Sequence, residues 1–235
     1  MDEVDKTTLL VRMARLIADK ATDVPLETRL CLAYLGILGG DGAALTLSYT
    51  LPDRITLCTT DDVAARLEDL QDVLGEGPGP TAYRTGQIVV ADLRSEQNSW
   101  PMFADAARQI PGASVLYAVP MRPREDGVIG VLTVHQGDAD LPDLDQAQFL
   151  VNAIAAAVIK DPPDESELLI GPWAARSQIH QATGMVVAQL RVGPDDAMAL
   201  LRAHAFTHNL TLSEVAERIT SRRLHFSDDA ESETS

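Results

Sequence analysis

The stretch Gln178-Ile-His-Gln-Ala-Thr-Gly-Met-Val-Val-Ala-Gln-Leu-Arg-Val-Gly-Pro-Asp-Asp-Ala-Met-Ala-Leu-Leu-Arg202 reads as an amphipathic helix, a Gly-Pro break and the start of a second helix. Set Ile179 at zero on a wheel of about 100° per residue, and Thr183, Val186 and Leu190 fall close to it, with Ala182 alongside. That is a core face. Arg176 borders it, His180 and Gly184 lie towards one flank, and Gln178 and Gln189 lie on the other. Gly193-Pro194 ends the helix. Pro194-Asp195-Asp196 then opens the next one with negative charge in its first turn, where the helix dipole favours it. Ala197, Leu200, Leu201 and Ala205 form the apolar side of this second helix. Arg202 projects away from Leu200, and Phe206 is assigned to the core.

A third short helix follows, from about Thr211 to Arg222. Thr211 is its N-cap, Glu214 completes a capping box, and Leu210 with Val215 fits the hydrophobic staple. Val215, Ala216 and Ile219 face inward, leaving Arg218, Arg222 and Arg223 exposed. Three helices over about fifty residues make a minimal bundle, which gains from docking or dimerisation.

Upstream, Asp161-Pro162-Pro163-Asp164-Glu165-Ser166-Glu167 is a linker, because two prolines stop a helix and the composition turns acidic. The apolar run Leu168-Leu169-Ile170 follows it and is expected to pack on something. Before the linker, helices are predicted at Val4–Ala21, from Pro25 as part of a first turn, and after Asp61-Asp62 as cap. Others are predicted at Thr81–Thr85, Trp100–Gln109 and Leu141–Lys160. Strands are predicted at Ala43–Tyr49, Arg54–Thr59, Ile88–Ala91, Ser114–Met121 and Gly127–His135, the last two joined by a hairpin carrying Asp126-Gly127. Consecutive hairpin strands favour an antiparallel sheet with helices packed on it, so the fold class is α+β followed by an all-α unit. Gly75-Glu76-Gly77-Pro78-Gly79-Pro80 lacks the Gly-Lys-Ser/Thr ending of a phosphate loop and follows a helix, so it is a structural turn.

The chain of 235 residues carries a net charge of −16, unevenly spread. Residues 1–172 hold 13 basic and 27 acidic side chains, whereas residues 173–224 hold 6 basic and 4 acidic. An acidic chain is a poor general binder of phosphate backbones, so such binding would concentrate in the basic island. Cys31 and Cys58 stand in unrelated contexts and form no disulfide framework or zinc spacing; buried reduced thiols are expected. The start Met-Asp-Glu-Val-Asp lacks a signal peptide's basic region, and the apolar run Phe149–Ile159 is too short to span a bilayer. A cytoplasmic protein with no membrane partner is the expectation.

Two ordered series of motifs carry resemblances. The strand pair before Asp61, Glu76-Gly-Pro78, Ile88-Val-Val-Ala-Asp92-Leu, Trp100-Pro-Met-Phe103, Ala118-Val-Pro-Met121 and Ile129-Gly-Val-Leu-Thr-Val134 together resemble a GAF domain, most of all those of actinobacterial regulators. That resemblance implies a sensor whose small-molecule effector, if it has one, lies between the sheet and its covering helices. The ligand is left open. Neither Cys31 nor Cys58 suits bilin attachment, the cyclic-nucleotide signature is missing, and two uncoupled thiols do not suit methionine sulfoxide reduction. His135 is read as structural or exposed rather than as a haem ligand. No cofactor and no metal are assigned.

Arg176-x-x-Ile179-x-Gln-Ala-Thr-Gly184-Met-Val, then Ala197-x-x-Leu-Leu-Arg202-Ala-x-Ala205 and Leu212-x-x-Val215-Ala216, resemble an ANTAR domain. This implies an RNA-binding transcription antiterminator that stabilises stem-loops in nascent transcripts, acts as a homodimer and sits beneath a sensor. Many family members have Lys where Thr183 stands, which here removes a charge able to neutralise phosphate. The expected RNA contacts are Arg176, His180, Thr183, Arg191, Arg202, His204 and His208. Arginine binds phosphate in bidentate fashion or stacks on bases, and histidine stacks on or hydrogen-bonds loop bases.

The domains are therefore drawn as a GAF-like sensor with its N-terminal helix at 1–160, a linker at 161–172, an ANTAR-like RNA-binding domain at 173–224 and a disordered acidic tail at 225–235. The alternative is a DNA-binding regulator using the last three helices as a helix-turn-helix. The basic residues of the third helix cluster at its C-terminal end, whereas recognition helices read bases from their N-terminal part. An enzyme is not expected, since no triad, metal cluster or paired carboxylates appear at suitable positions. Control is expected to pass through the helix ending at Lys160, and the GAF region to form most of the dimer.

Overall fold

The first helix, α1 (Glu3–Ala18), opens on a capping box between Asp2 and Asp5. It packs on α2 (Leu26–Leu38), which begins directly after Pro25 and ends at Gly39, where φ is 87°. Strands β1 (Gly42–Leu47) and β2 (Ile55–Thr59) follow. Next come α3 (Asp62–Leu74), α4 (Pro78–Thr85), β3 (Val89–Asp92) and α5 (Pro101–Ala107). Strands β4 (Val115–Met121) and β5 (Gly130–Gln136) precede the long α6 (Leu144–Lys160). This computed structural model describes residues 2–20, 23–48, 54–95, 99–123, 127–137, 143–160 and 171–226. The expected hairpin turn at 124–126, the body of the linker at 161–170 and the tail at 227–235 lie outside the described residues. The chain divides into two compact units, one of residues 1–71 and 75–164, the other of residues 72–74 and 165–235.

The five strands form one antiparallel sheet in the order β2-β1-β5-β4-β3. Side chains alternate between its faces, and each face has its own covering. Leu45, Tyr117, Val119, Leu132 and Val134 meet Met13, Leu30, Tyr34, Leu150, Val151 and Ile154 on the side of α1, α2 and α6. Ala118 and Val131 meet Ala82 of α4 on the other side. The first unit is thus α+β, as its strand pattern predicts.

The Gly-rich stretch at 75–80 is structural, and α4 begins within it at Pro78, three residues before the expected start. Asp61 caps α3 by accepting from the Ala64 amide at 2.7 Å. A side chain on Gly77 would meet Gln71, and the Gly79 amide donates to Gln71 Oε1 at 2.7 Å. That amide is therefore committed to a neighbouring side chain.

One sequence expectation is corrected here. Cys31 and Cys58 are not in unrelated surroundings, because their sulfurs lie 3.2 Å apart, Cys31 on α2 and Cys58 on β2. Both are free thiols. The cause is a one-residue shift in the β1–β2 register. Leu45 pairs with Cys58 and Thr46 with Thr56, so Leu57 is the extra residue. Strict alternation puts Cys58 on the same face as Thr56. The shift turns it onto the face of Leu45 and α2.

The second unit is all-α: α7 (Gly171–Leu190), α8 (Pro194–His208) and α9 (Leu212–Thr220). Helix α7 starts at Gly171, within the stretch assigned to the linker. Its buried positions Arg176, Ile179, Ala182, Thr183 and Val186 recur at helical spacing and pack with Ala197, Leu201, Ala205, Val215 and Ile219 of the other two helices into the unit's interior. No helix among the described residues is long and apolar enough to cross a membrane.

Candidate nucleic-acid interface

Specific contacts tie α7 to α9 and set the ends of α8 and α9. Gln178 Nε2 donates to Thr220 Oγ1 at 3.0 Å, tying α7 to α9. Thr211 caps α9, accepting from the Glu214 amide at 3.1 Å, while its own amide donates to Glu214 Oε2 at 2.8 Å. This is the capping box predicted from the sequence. Asn209 ends α8 in the left-handed conformation at φ 52°, which Asn tolerates better than most residues.

The seven expected contact residues fall into different environments. Arg176 and Thr183 are buried, at 6% and 9% exposure. The Thr183 hydroxyl donates to the Ile179 carbonyl at 2.8 Å, within its own helix. Both side chains follow the inward period of α7, and in this conformation neither presents its polar group to solvent. Arg202 and His204 are half-buried, and His180, Arg191 and His208 are exposed. Arg191 sits just past α7 with φ 56°, where the chain turns towards α8.

His204 and His208 come together one helical turn apart. Their rings stack with centroids 4.0 Å apart and planes 23° from parallel. His208 Nδ1 lies 2.9 Å from the His204 carbonyl, so that nitrogen carries the proton and donates. Nε2 is then left as the second hydrogen-bonding atom of the ring. The pKa of His204 is held below its ordinary value, first by loss of hydration and then by the positive charges of His208 and Arg218.

Three features of this surface escape sequence inspection. Phe226 stands edge-on to His204, with centroids 5.6 Å apart and an interplanar angle of 82°. Its amide donates to Gln189 Oε1 at 3.2 Å, so the chain after α9 returns over the end of α7. Placing 225–235 wholly in a tail missed this, because nothing in the local pattern marks His225-Phe226 as packed. Arg218 is the second feature, close enough to depress His204, and its exposed position on α9 was the available signal. Third, Phe206 is 50% exposed, so its assignment to the core is corrected. It lies one position past the buried Ala205, off the inward face of α8.

Gly184 is the remaining anomaly. It lies mid-helix, exposed, and nothing stands within 4 Å of where its Cβ would be. Internal packing does not require glycine there, although glycine costs a helix about 1 kcal/mol relative to alanine. His180, Gly184 and Ala188 follow at four-residue intervals and are all exposed, giving α7 a narrow, low surface stripe.

In the first unit, the sheet face towards α3 and α4 carries a buried polar network centred on Glu68. Its carboxylate accepts from Thr133 Oγ1 at 2.6 Å, Gln71 Nε2 at 2.9 Å and Thr46 Oγ1 at 3.0 Å, and pairs with the Arg54 guanidinium. Arg54 and Glu68 side chains are 4% and 2% exposed. His135 is buried rather than exposed, its Nε2 2.9 Å from the Asp61 carboxylate. No group of three or more metal-binding side chains is assembled among the described residues.

The chain is similar to several solved structures. One is the GAF domain of an Acinetobacter phosphoenolpyruvate-protein phosphotransferase, at 14% identity and TM-score 0.45, covering 70% of this chain and 100% of that one. Another is the A. Aeolicus nlh2 GAF domain in an inactive state, at 14% identity and TM-score 0.41, covering 65% of this chain and 92% of that one. A third is a domain of a putative two-component sensor histidine kinase from Sinorhizobium meliloti 1021, at 13% identity and TM-score 0.44, covering 60% and 93%. No curated protein matches the chain. The three-helix unit does match a family model: residues 173–219 fit the ANTAR domain, and the chain carries an ANTAR domain at its C-terminal end.

Proposed function

We propose that this protein is a signal-responsive regulator whose ANTAR domain binds stem-loop RNA in nascent transcripts and promotes antitermination. The observation that carries the proposal is the family match over residues 173–219, on the one part of the chain where basic side chains outnumber acidic ones. The surface chemistry supports it. Stacked imidazoles, an edge-on phenyl ring and nearby arginine suit exposed loop bases and phosphates better than a regular duplex groove. In this reading His204 and His208 meet loop bases, while Arg191 and Arg218 neutralise phosphate. Gly184 and Ala188 allow close approach of the RNA along α7, His180 offers its ring beside them, and Arg202 adds charge from α8. Arg176 and Thr183 act from within, shaping α7.

The first unit is assigned the sensing role, as a GAF-type domain acting in the cytoplasm. Two lines support this, the ordered motif series and the two-faced antiparallel sheet in the order β2-β1-β5-β4-β3. A homodimer completes the proposal. Val4, Leu10 and Val11 of α1 are 73%, 43% and 47% exposed and supply apolar surface for it.

The test is transcription in vitro on a template carrying paired stem-loops upstream of a terminator. Full-length protein is expected to raise read-through. Substituting the loop bases is expected to abolish the rise. Read-through indifferent to the loops would overturn the proposal.

A further inference from the structure

The structure brings together two thiols that the sequence keeps 27 positions apart, with sulfurs at 3.2 Å. Cys31 is fully buried on α2, within the main hydrophobic cluster. Cys58 is half-buried on β2, the edge strand of the sheet, and packs against that same cluster. A thiol buried in apolar surroundings is ordinarily inert, and a reactive one is partly exposed. This pair has one of each, already in contact. A disulfide needs the sulfurs at about 2.05 Å, so closure requires a movement of roughly 1.2 Å. The movement falls on an edge strand, beside the register shift at Leu57, where the ladder is already interrupted.

We propose that Cys58 and Cys31 are a peroxide-reactive dithiol, in which Cys58 is oxidised first and Cys31 resolves it into an intramolecular disulfide. In the first step the Cys58 thiolate attacks one oxygen of hydrogen peroxide. An S–O bond forms, the O–O bond breaks, and the departing hydroxide takes a proton and leaves as water. Cys58 is now a sulfenic acid, oxidised by two electrons, and the peroxide is reduced. In the second step the Cys31 sulfur attacks the Cys58 sulfur. The S–S bond forms and the S–O bond breaks. The hydroxide and the Cys31 proton leave as a second water. Two thiols and one peroxide give one disulfide and two waters. The order of attack follows from exposure and from the state of Cys31. Its thiol is pushed well above the ordinary range, first by the hydrogen bond with Cys58, then by burial, so it keeps its proton in the resting pair.

The product ties α2 to the edge of the sheet. Both cysteines belong to the first unit and the proposed RNA contacts to the second, so the dithiol stands or falls independently of that function.

The experiment uses full-length protein, reduced and then freed of reductant, with hydrogen peroxide as the probe. Both thiols are expected to disappear together, with the intact mass lower by the two thiol hydrogens. A non-reducing peptide map is expected to join the Cys31 and Cys58 peptides of one chain, and dithiothreitol to restore both thiols. Cys31→Ser is expected to leave a sulfenic acid at Cys58 that dimedone traps, and Cys58→Ser to leave Cys31 unmodified. Because Cys31 is buried, the wild-type mass and peptide map decide the question without either variant. Three results overturn the proposal: oxidation of Cys58 to sulfinic or sulfonic acid while Cys31 stays alkylatable after unfolding; a disulfide joining two chains; or two intact thiols after peroxide treatment that oxidises free cysteine.

Discussion

The imidazoles of His204 and His208 stack at 4.0 Å on the surface of the ANTAR domain, and His208 is bonded back to the backbone of His204. Two flat rings already held together need little further ordering to accept a third. That is the geometry of a stacking platform for an unpaired base. Replacing both histidines with alanine is expected to cost binding about 1–3 kcal/mol, or roughly fivefold to 150-fold in Kd. Anisotropy titration with a labelled stem-loop measures it, and circular dichroism checks that α8 remains intact.

RNA affinity is expected to rise as pH falls. The pKa of His204 is held down in the isolated protein by desolvation, His208 and Arg218. The negative potential of bound RNA favours the charged ring, so binding takes up a proton, and affinity gains as pH falls towards the lowered pKa of the free protein. The stability of the isolated domain runs the other way. Near pH 6 the unfolded chain holds the proton more tightly than the folded one, so stability falls as pH drops from about 6.5 through the lowered folded pKa. Anisotropy and thermal melts over the same buffers are expected to show opposite slopes, and His204→Gln to flatten both.

Arg191 and Arg218 are assigned to phosphate. Arg191→Ala and Arg218→Ala are each expected to reduce the slope of log K against log salt by roughly 0.7 to 0.9. They are expected to weaken matched and loop-permuted RNAs alike, which distinguishes them from the histidines. A salt series on each variant provides the check.

Gly184 has open space where a side chain would go. Gly184→Ala is expected to stabilise the domain by about 0.5–1 kcal/mol and at the same time to weaken RNA binding. Urea unfolding and anisotropy on the one variant read the two effects. Stabilisation with unchanged affinity would remove Gly184 from the interface.

In the first unit, Glu68 and Arg54 form a buried pair within a network of threonine and glutamine bonds. Glu68→Ala leaves the guanidinium buried without its carboxylate and is expected to cost about 3–5 kcal/mol. Urea unfolding is expected to show a lower midpoint with an unchanged slope.

Periodicity made most of this architecture readable. Ile179, Ala182, Thr183 and Val186 emerge as one face from spacing alone, and all four are buried. The capping box at Thr211 and Glu214 is a local rule, and it holds. What stayed hidden depends on contacts between distant residues. Cys58 changes face because of one unpaired residue in β2, which no alternation rule contains. Phe226 belongs to the His204 surface because the chain folds back after α9, bonding to Gln189 of α7. Arg176 and Thr183 are RNA-contact candidates through their positions in the ANTAR pattern, although the same wheel places them at or beside the inward face, where both are buried.

The proposed output of the protein is recognition of stem-loop RNA by its ANTAR domain. The direct measurement is equilibrium binding of the full chain to a paired stem-loop, beside a control with the same stems and permuted loops, and with duplex DNA as competitor. Tighter binding to the matched loops and no displacement by DNA are expected. Equal affinity for both RNAs, or displacement by DNA, would contradict the proposal.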